Sequence, residues 1–138
     1  MLMTGETDLA ALLARLCPRL SEIEFAFGVI RDGEPQPATM EPVGTFREEE
    51  GLTVIGPAAQ FAGTGIEHVG GWAMISLEVQ SSLAAVGMMA AIAQALADED
   101  ISVNAVAGFH HDRVFVQWER RHEAVKALDR LSEAAASA

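Results

Sequence analysis

Between Trp72 and Leu131 the hydrophobic period runs from strand to helix, then through two strands, then back to helix, and few folds accept that order. Over residues 72–79, Ala73, Ile75, Leu77 and Val79 alternate with Met74, Ser76 and Glu78, as in a half-buried strand. Ser81 or Ser82 is placed to cap a helix over residues 83–97, which Asp98, Glu99 and Asp100 close. A strand over 101–108, a turn over 109–112 and a strand over 113–118 follow. Ala124, Val125, Leu128 and Leu131 then mark one side of an amphipathic helix, ahead of a small-residue tail over 133–138. The order β-α-β-β-α is the ferredoxin-like split unit without its last strand. The fold class is therefore α+β, and a fourth strand must come from elsewhere.

The first half offers such strands. Thr7 is placed to cap a helix with leucines at 9, 12, 13 and 16, which Pro18 ends. Residues 22–30 alternate Ile23, Phe25, Phe27 and Val29 against Glu24, Ala26 and Gly28. Residues 31–42 read as a loop and 43–50 as a short helical turn, which Gly51 breaks. A short strand over 52–56, a helical patch from Pro57 to Phe61 and a linker over 63–71 complete this half. The helix over 83–97 is apolar nearly all round and needs cover on two sides. A homodimer that supplies one cover and protects the sheet edge is the expectation, with an enclosed monomer the competing explanation.

Charge removes whole classes of partner. Twenty acids against nine bases give −11, which repels phosphate backbones and anionic lipid alike, so no nucleic acid and no membrane is expected. The apolar stretch over 83–97 falls short of the roughly 20 residues a membrane-spanning helix needs. With Cys17 the one cysteine, no intrachain disulfide can form and a reducing compartment is the simpler setting. Residues 1–8 lack the basic start and apolar run of a secretory signal, so a cytoplasmic location is expected.

Three stretches carry a resemblance: Thr45-Phe46-Arg47-Glu48 with Gly51-Leu52-Thr53; Val79-Gln80-Ser81-Ser82-Leu83 on to Val86-Gly87; and Asn104 through Val116, which contains Gly-Phe-His-His-Asp-Arg-Val. Together they resemble a bacterial family of small proteins built from two tandem ACT-like repeats. The chain differs from that pattern at Gln80 and Arg113, where the family commonly has histidines. The resemblance implies a ferredoxin-like ACT sandwich with antiparallel sheets and helices on one face. Its repeats would be 1–68, which is divergent, and 69–138. It also implies modules that bind amino acids or other small ligands and pass the effect on through dimer contacts.

On this reading the candidate site is the turn from Val79 into the helix. Free N–H groups of Ser82, Leu83 and Ala84, with the hydroxyls of Ser81 and Ser82 beside Gln80, suit a carboxylate at a helix start. Asn104 and the backbone near Ala107 and Gly108 are placed to take an ammonium group. The plainer explanation of the serine pair is helix capping. Arg47 is a candidate anion contact or a bridge between repeats, against the plainer reading of a surface ion pair. Gly87 costs a helix about 1 kcal/mol against alanine, so it suggests a close approach there.

His110, His111 and Asp112 are metal-ligand types, but adjacent residues chelate one ion poorly, and a hydrogen-bonded turn is the stronger reading. No metal and no cofactor is assigned. Gly63-Thr64-Gly65 lacks the further glycine and the context of a dinucleotide loop, and Glu48-Glu49-Glu50 reads as a solvated turn. No nucleophilic elbow, phosphate-loop lysine or set of nucleophile, base and orienting group can be read out. The leading function is a regulatory sensor that binds a small molecule, an amino acid, as a homo-oligomer. A ligand-free protein–protein interaction module is the alternative, and a small group-transfer enzyme using His110, His111 or Asp112 ranks third.

Overall fold

The computed structural model describes residues 8–137. Helix α1, Leu9–Ala14, starts at Asp8, whose carboxylate accepts the Ala11 N–H at 3.0 Å; Thr7, expected as the cap, lies outside the described residues. Strands β1 (Pro18–Ile30), β2 (Gly44–Glu48) and β3 (Gly51–Pro57) follow, then a 3-10 turn at Ala58–Phe61. The chain continues through β4 (Glu67–Leu77), α2 (Met88–Ala97), β5 (Asn104–Ala107), β6 (Asp112–Gln117) and α3 (Arg121–Ala136). The second half is thus β-α-β-β-α. The six strands form one sheet in the order β2-β3-β1-β4-β6-β5, so the neighbour that β4 needs comes from this chain's own β1.

The fold groups into two units: the described residues up to Ser21 with those from Ala73 onward, and Glu22–Trp72 inserted between them in sequence. In the terminal unit, Leu12 and Leu16 of α1, Ile75 and Leu77 of β4, Ile92 and Leu96 of α2, Val114 and Val116 of β6 and Leu128 of α3 share one core. Each large side chain there contributes about 1.5–3 kcal/mol by burial. All three helices therefore lie on the same face of these strands. Because α1 packs on α3, where the Ser132 hydroxyl donates to the Ala14 carbonyl at 3.0 Å, this N-terminal helix joins the second half in packing.

The inserted unit has a smaller core of Ala26, Ile30, Met40, Val54, Phe61 and Ile66. Its covered β1 face carries Ala26, Gly28 and Ile30, because the Phe61 ring lies on Gly28: a Cβ there would meet the ring at 2.5 Å. The helical layer of this unit is a single 3-10 turn.

Four segments differ from the sequence expectation. The 43–50 segment contains β2, Gly44–Glu48, rather than a helical turn, since Thr45 and Phe46 pair with Val54 and Thr53 across a hairpin. The glycine-rich 63–71 stretch is no linker beyond Ile66: β4 starts at Glu67, and the Glu24 carboxylate accepts the Gly71 N–H at 2.9 Å. The alanines near the C-terminus continue α3 to Ala136, as good helix formers do. The helix expected from residue 83 starts only at Met88, with Gly87 as its N-cap at φ +92. No helix among the described residues is long and apolar enough to cross a membrane.

Candidate functional site

The late start of α2 follows from local chemistry. The Ser82 hydroxyl accepts the Ala84 N–H at 3.1 Å, and the Ser82 carbonyl accepts the Ala85 N–H at 3.0 Å. A serine that bonds the backbone two residues on stabilises a turn at the expense of a helix. Gly87 then takes a left-handed conformation outside helical geometry. Ser82 is buried and orders this turn, while Leu83 and Val86 are exposed. The N–H groups expected to meet a carboxylate are therefore rearranged: that of Ala84 is spent within the turn. The open donors are instead those of the first turn of α2, whose N-cap makes no side-chain hydrogen bond.

A cavity of about 260 Å³ opens here, with Ser81, Ser82, Leu83, Met88 and Met89 on one side and Ala105, Ala107 and Asp112 on the other. Its upper wall is the turn and the start of α2, and its floor is β5 and β6. Strand register explains the floor. Ala105 pairs with Val114 and Ala107 with Asp112, so these four residues share the helix-covered face. The Ser81 hydroxyl makes a long hydrogen bond to Asp112 Oδ2 at 3.4 Å. One end of the cavity thus carries a negative charge and the other the positive end of a helix dipole.

Asn104 is not brought to this cavity. It pairs with Phe115, one residue out of phase with Ala105 and Ala107, and so lies on the opposite face. Gln80, next to Ser81 in sequence, is exposed and sits 2.8 Å, through Nε2, from His110 Nδ1. Gly108 closes the β5–β6 turn, its N–H donating to the His111 carbonyl at 3.0 Å, so backbone rather than Asp112 makes that bond. A Cβ on Gly108 would lie 2.6 Å from the same carbonyl oxygen, which leaves no room for any other residue. The His110 and His111 rings are 6.3 Å apart and tilted, and no three His, Cys, Asp or Glu side chains among the described residues group to hold a metal. Arg47 belongs to the inserted unit, where it faces Leu52 across the β2–β3 pair and lines a separate cavity of about 220 Å³ beside Arg31. The hydrogen bond from Arg31 to Glu67 holds its guanidinium pKa above the ordinary value, so Arg31 stays charged.

Asp112, Ala105, Met88 and Met89 are wall residues that a reading centred on the serine pair does not find. Strand alternation carried a signal for Ala105; the two methionines had none, because their place depends on where α2 begins.

Residues 4–70 and 67–130 each match a family model described as an ACT domain. No curated protein matches the chain. Among solved structures, a Vibrio cholerae protein described as of unknown function and a possible transport protein is 36% identical, with a TM-score of 0.79 over 90% of this chain and 95% of that one. The ligand-free regulatory subunit of aspartate kinase from Thermus thermophilus is 13% identical, with a TM-score of 0.60 over 83% of this chain and 95% of that one. The Clostridium acetobutylicum aspartate kinase is 10% identical, with a TM-score of 0.65 over 83% of this chain but 34% of that one. These last two likenesses are of fold.

Proposed function

Because the chain belongs to the ACT-domain family, with two such domains in tandem, we propose that its small-molecule-binding regulatory role is exercised on an amino acid or a close relative, by a homo-oligomer in the cytoplasm. The repeats in this reading are 1–68 and 69–138. One observation carries it: the cavity that joins the uncapped start of α2 to the Asp112 carboxylate. An α-amino acid bears a carboxylate and an ammonium group on one carbon, and this cavity has a complement for each. The first-turn N–H groups of α2 take the carboxylate and Asp112, beside Ser81, takes the ammonium. At about 260 Å³ the cavity falls below the ~300 Å³ at which drug-sized pockets begin, which suits a small metabolite. Met88 and Met89 supply an adaptable wall for its side chain. That a regulatory subunit of an amino-acid kinase has this fold supports the regulatory reading.

Calorimetric titration with the amino acids, each at constant pH and salt, tests the reading. One or a few should bind, and Asp112→Asn should weaken them at least tenfold, about 1.4 kcal/mol. If ligand binding is coupled to assembly, dimerisation must strengthen affinity by the same factor that the ligand strengthens dimerisation. Equal affinity in Asp112→Asn would refute the site, and affinity independent of protein concentration would refute the coupling.

The interaction-module reading is favoured by a different observation. Leu83, Val86 and Phe109 are 73%, 82% and 68% exposed, all in the terminal unit. A failure of every amino acid to bind, with self-association lost in Val86→Asp, would put that reading first.

A further inference from the structure

The face of β6 that Asp112 does not use gathers a second set of charged side chains. Asp112, Val114 and Val116 point to the helices, so His111, Arg113 and Phe115 point the other way. On β4, Ala73, Ile75 and Leu77 fill the core and Ser76 turns from it, as does Glu78 just past the strand's end. Arg19 joins from the start of β1, and a cavity of about 340 Å³ forms between Arg19, Ser76, Glu78, His111 and Arg113.

We propose that this cavity is a site for a small oxyanion, a carboxylate or phosphate group, held by Arg113 and Arg19 independently of the amino-acid site. In a chain of net charge −11 with nine basic residues, two guanidinium groups converge here on one cavity with a single carboxylate. That carboxylate is already engaged: Arg19 Nε donates to Glu78 Oε1 at 2.7 Å, and Cys17 Sγ lies 3.9 Å from Oε2. Glu78 therefore cancels one cation and orients it, and the other remains. Among the described residues the Arg113 side chain makes no ion pair or hydrogen bond, although the residue is partly buried. A guanidinium partly withdrawn from water gains by meeting an anionic partner. It is also held in place, because Nη1 packs where Gly108 has no side chain, 3.2 Å from the position a Cβ would occupy. Its planar fork matches two oxygens of one carboxylate or phosphate.

His111 lines the same cavity. Its Nδ1 is buried without a hydrogen-bond partner. A cation finds no free acceptor carboxylate in this cavity, which leaves an anion as the complementary ligand.

The test is a titration of the full chain, followed by the side-chain and backbone resonances of Arg113, Arg19 and His111, with inorganic phosphate in one arm and succinate in the other. Chloride keeps the ionic strength constant, since screening alone moves exposed charges. Saturable shifts with phosphate alone assign a phosphoryl ligand, with succinate alone a carboxylate, and with both a general oxyanion site. Arg113→Gln should weaken the response at least tenfold, Arg113→Lys should weaken it less, and Asp112→Asn on the opposite face should leave it unchanged. Core resonances of Val114 and Val116 report whether each variant is folded, and Arg19→Gln replaces any that is not. No saturable shift in either arm, or equal affinity in folded Arg113→Gln, overturns the proposal. Because Asp112→Asn separates the two cavities, loss of one site leaves the other standing.

Discussion

Gly87→Ala distinguishes two accounts of the same residue by the sign of its effect. Inside a helix, as residues 83–97 suggest by composition, replacing glycine with alanine would stabilise the protein by about 1 kcal/mol. In the structure Gly87 is the N-cap of α2 at φ +92 and ψ −15, a conformation that side-chain-bearing residues rarely adopt. Holding alanine there costs about 1–2 kcal/mol. Its Cβ would also lie 3.3 Å from Leu9 Cδ2, a contact that a small shift of the leucine relieves, so sterics add little. The net expectation is a loss of about 1–2 kcal/mol, with a melting temperature roughly 4–8 °C lower. Urea unfolding measures it directly: the midpoint should fall with the slope unchanged, as for a change confined to the native state. Gly87→Asn, which tolerates positive φ better, should recover part of the loss. A midpoint that rises in Gly87→Ala would refute the placement of the helix start, and with it the amino-acid site built on the first turn of α2.

Two further substitutions check the frame around the sites. Leu128→Ala removes a fully buried side chain from the core shared by the three helices and should cost about 2–5 kcal/mol in the same unfolding assay; a loss under 1 kcal/mol would mean that α3 does not cover this face. Gly108→Ala forces a Cβ to 2.6 Å from the His111 carbonyl oxygen, so the β5–β6 turn must open and both the Asp112 and the Arg113 sites should weaken together. Titrations that show either site intact in this variant would contradict the close packing of the turn.

The two cavities share β6 and are separated by its pleat. Neighbouring residues Asp112 and Arg113 carry opposite charges to opposite faces, and each lines its own cavity. Gly108 fits both roles, since it lets the turn close on His111 and leaves the space into which Arg113 packs.

The sequence alone carried the β-α-β-β-α order, because β4 and α3 each bury one face and keep a period of two or near 3.6, and β6 reads as a short apolar run, Val114 to Val116. It determined the family through Asn104 to Val116 and the serine pair. It also contained the alternation that parts Asn104 from Ala105 and Ala107, since side-chain direction along a strand needs no partner to be known. Other features had no local signature. The serine pair can cap a helix or close a turn with the same hydroxyl, and only the packing of Gly87 and Met88 selects the turn. Residues 44–48 become a strand because Val54 and Thr53 offer a ladder. Helix α1 joins the second half because it packs on α3, and Arg19 reaches Glu78 and the cavity that Arg113 lines only through tertiary contacts. Tertiary structure decided these because each depends on which distant segment is present to pair with, and a one-dimensional pattern carries direction and period but not neighbours.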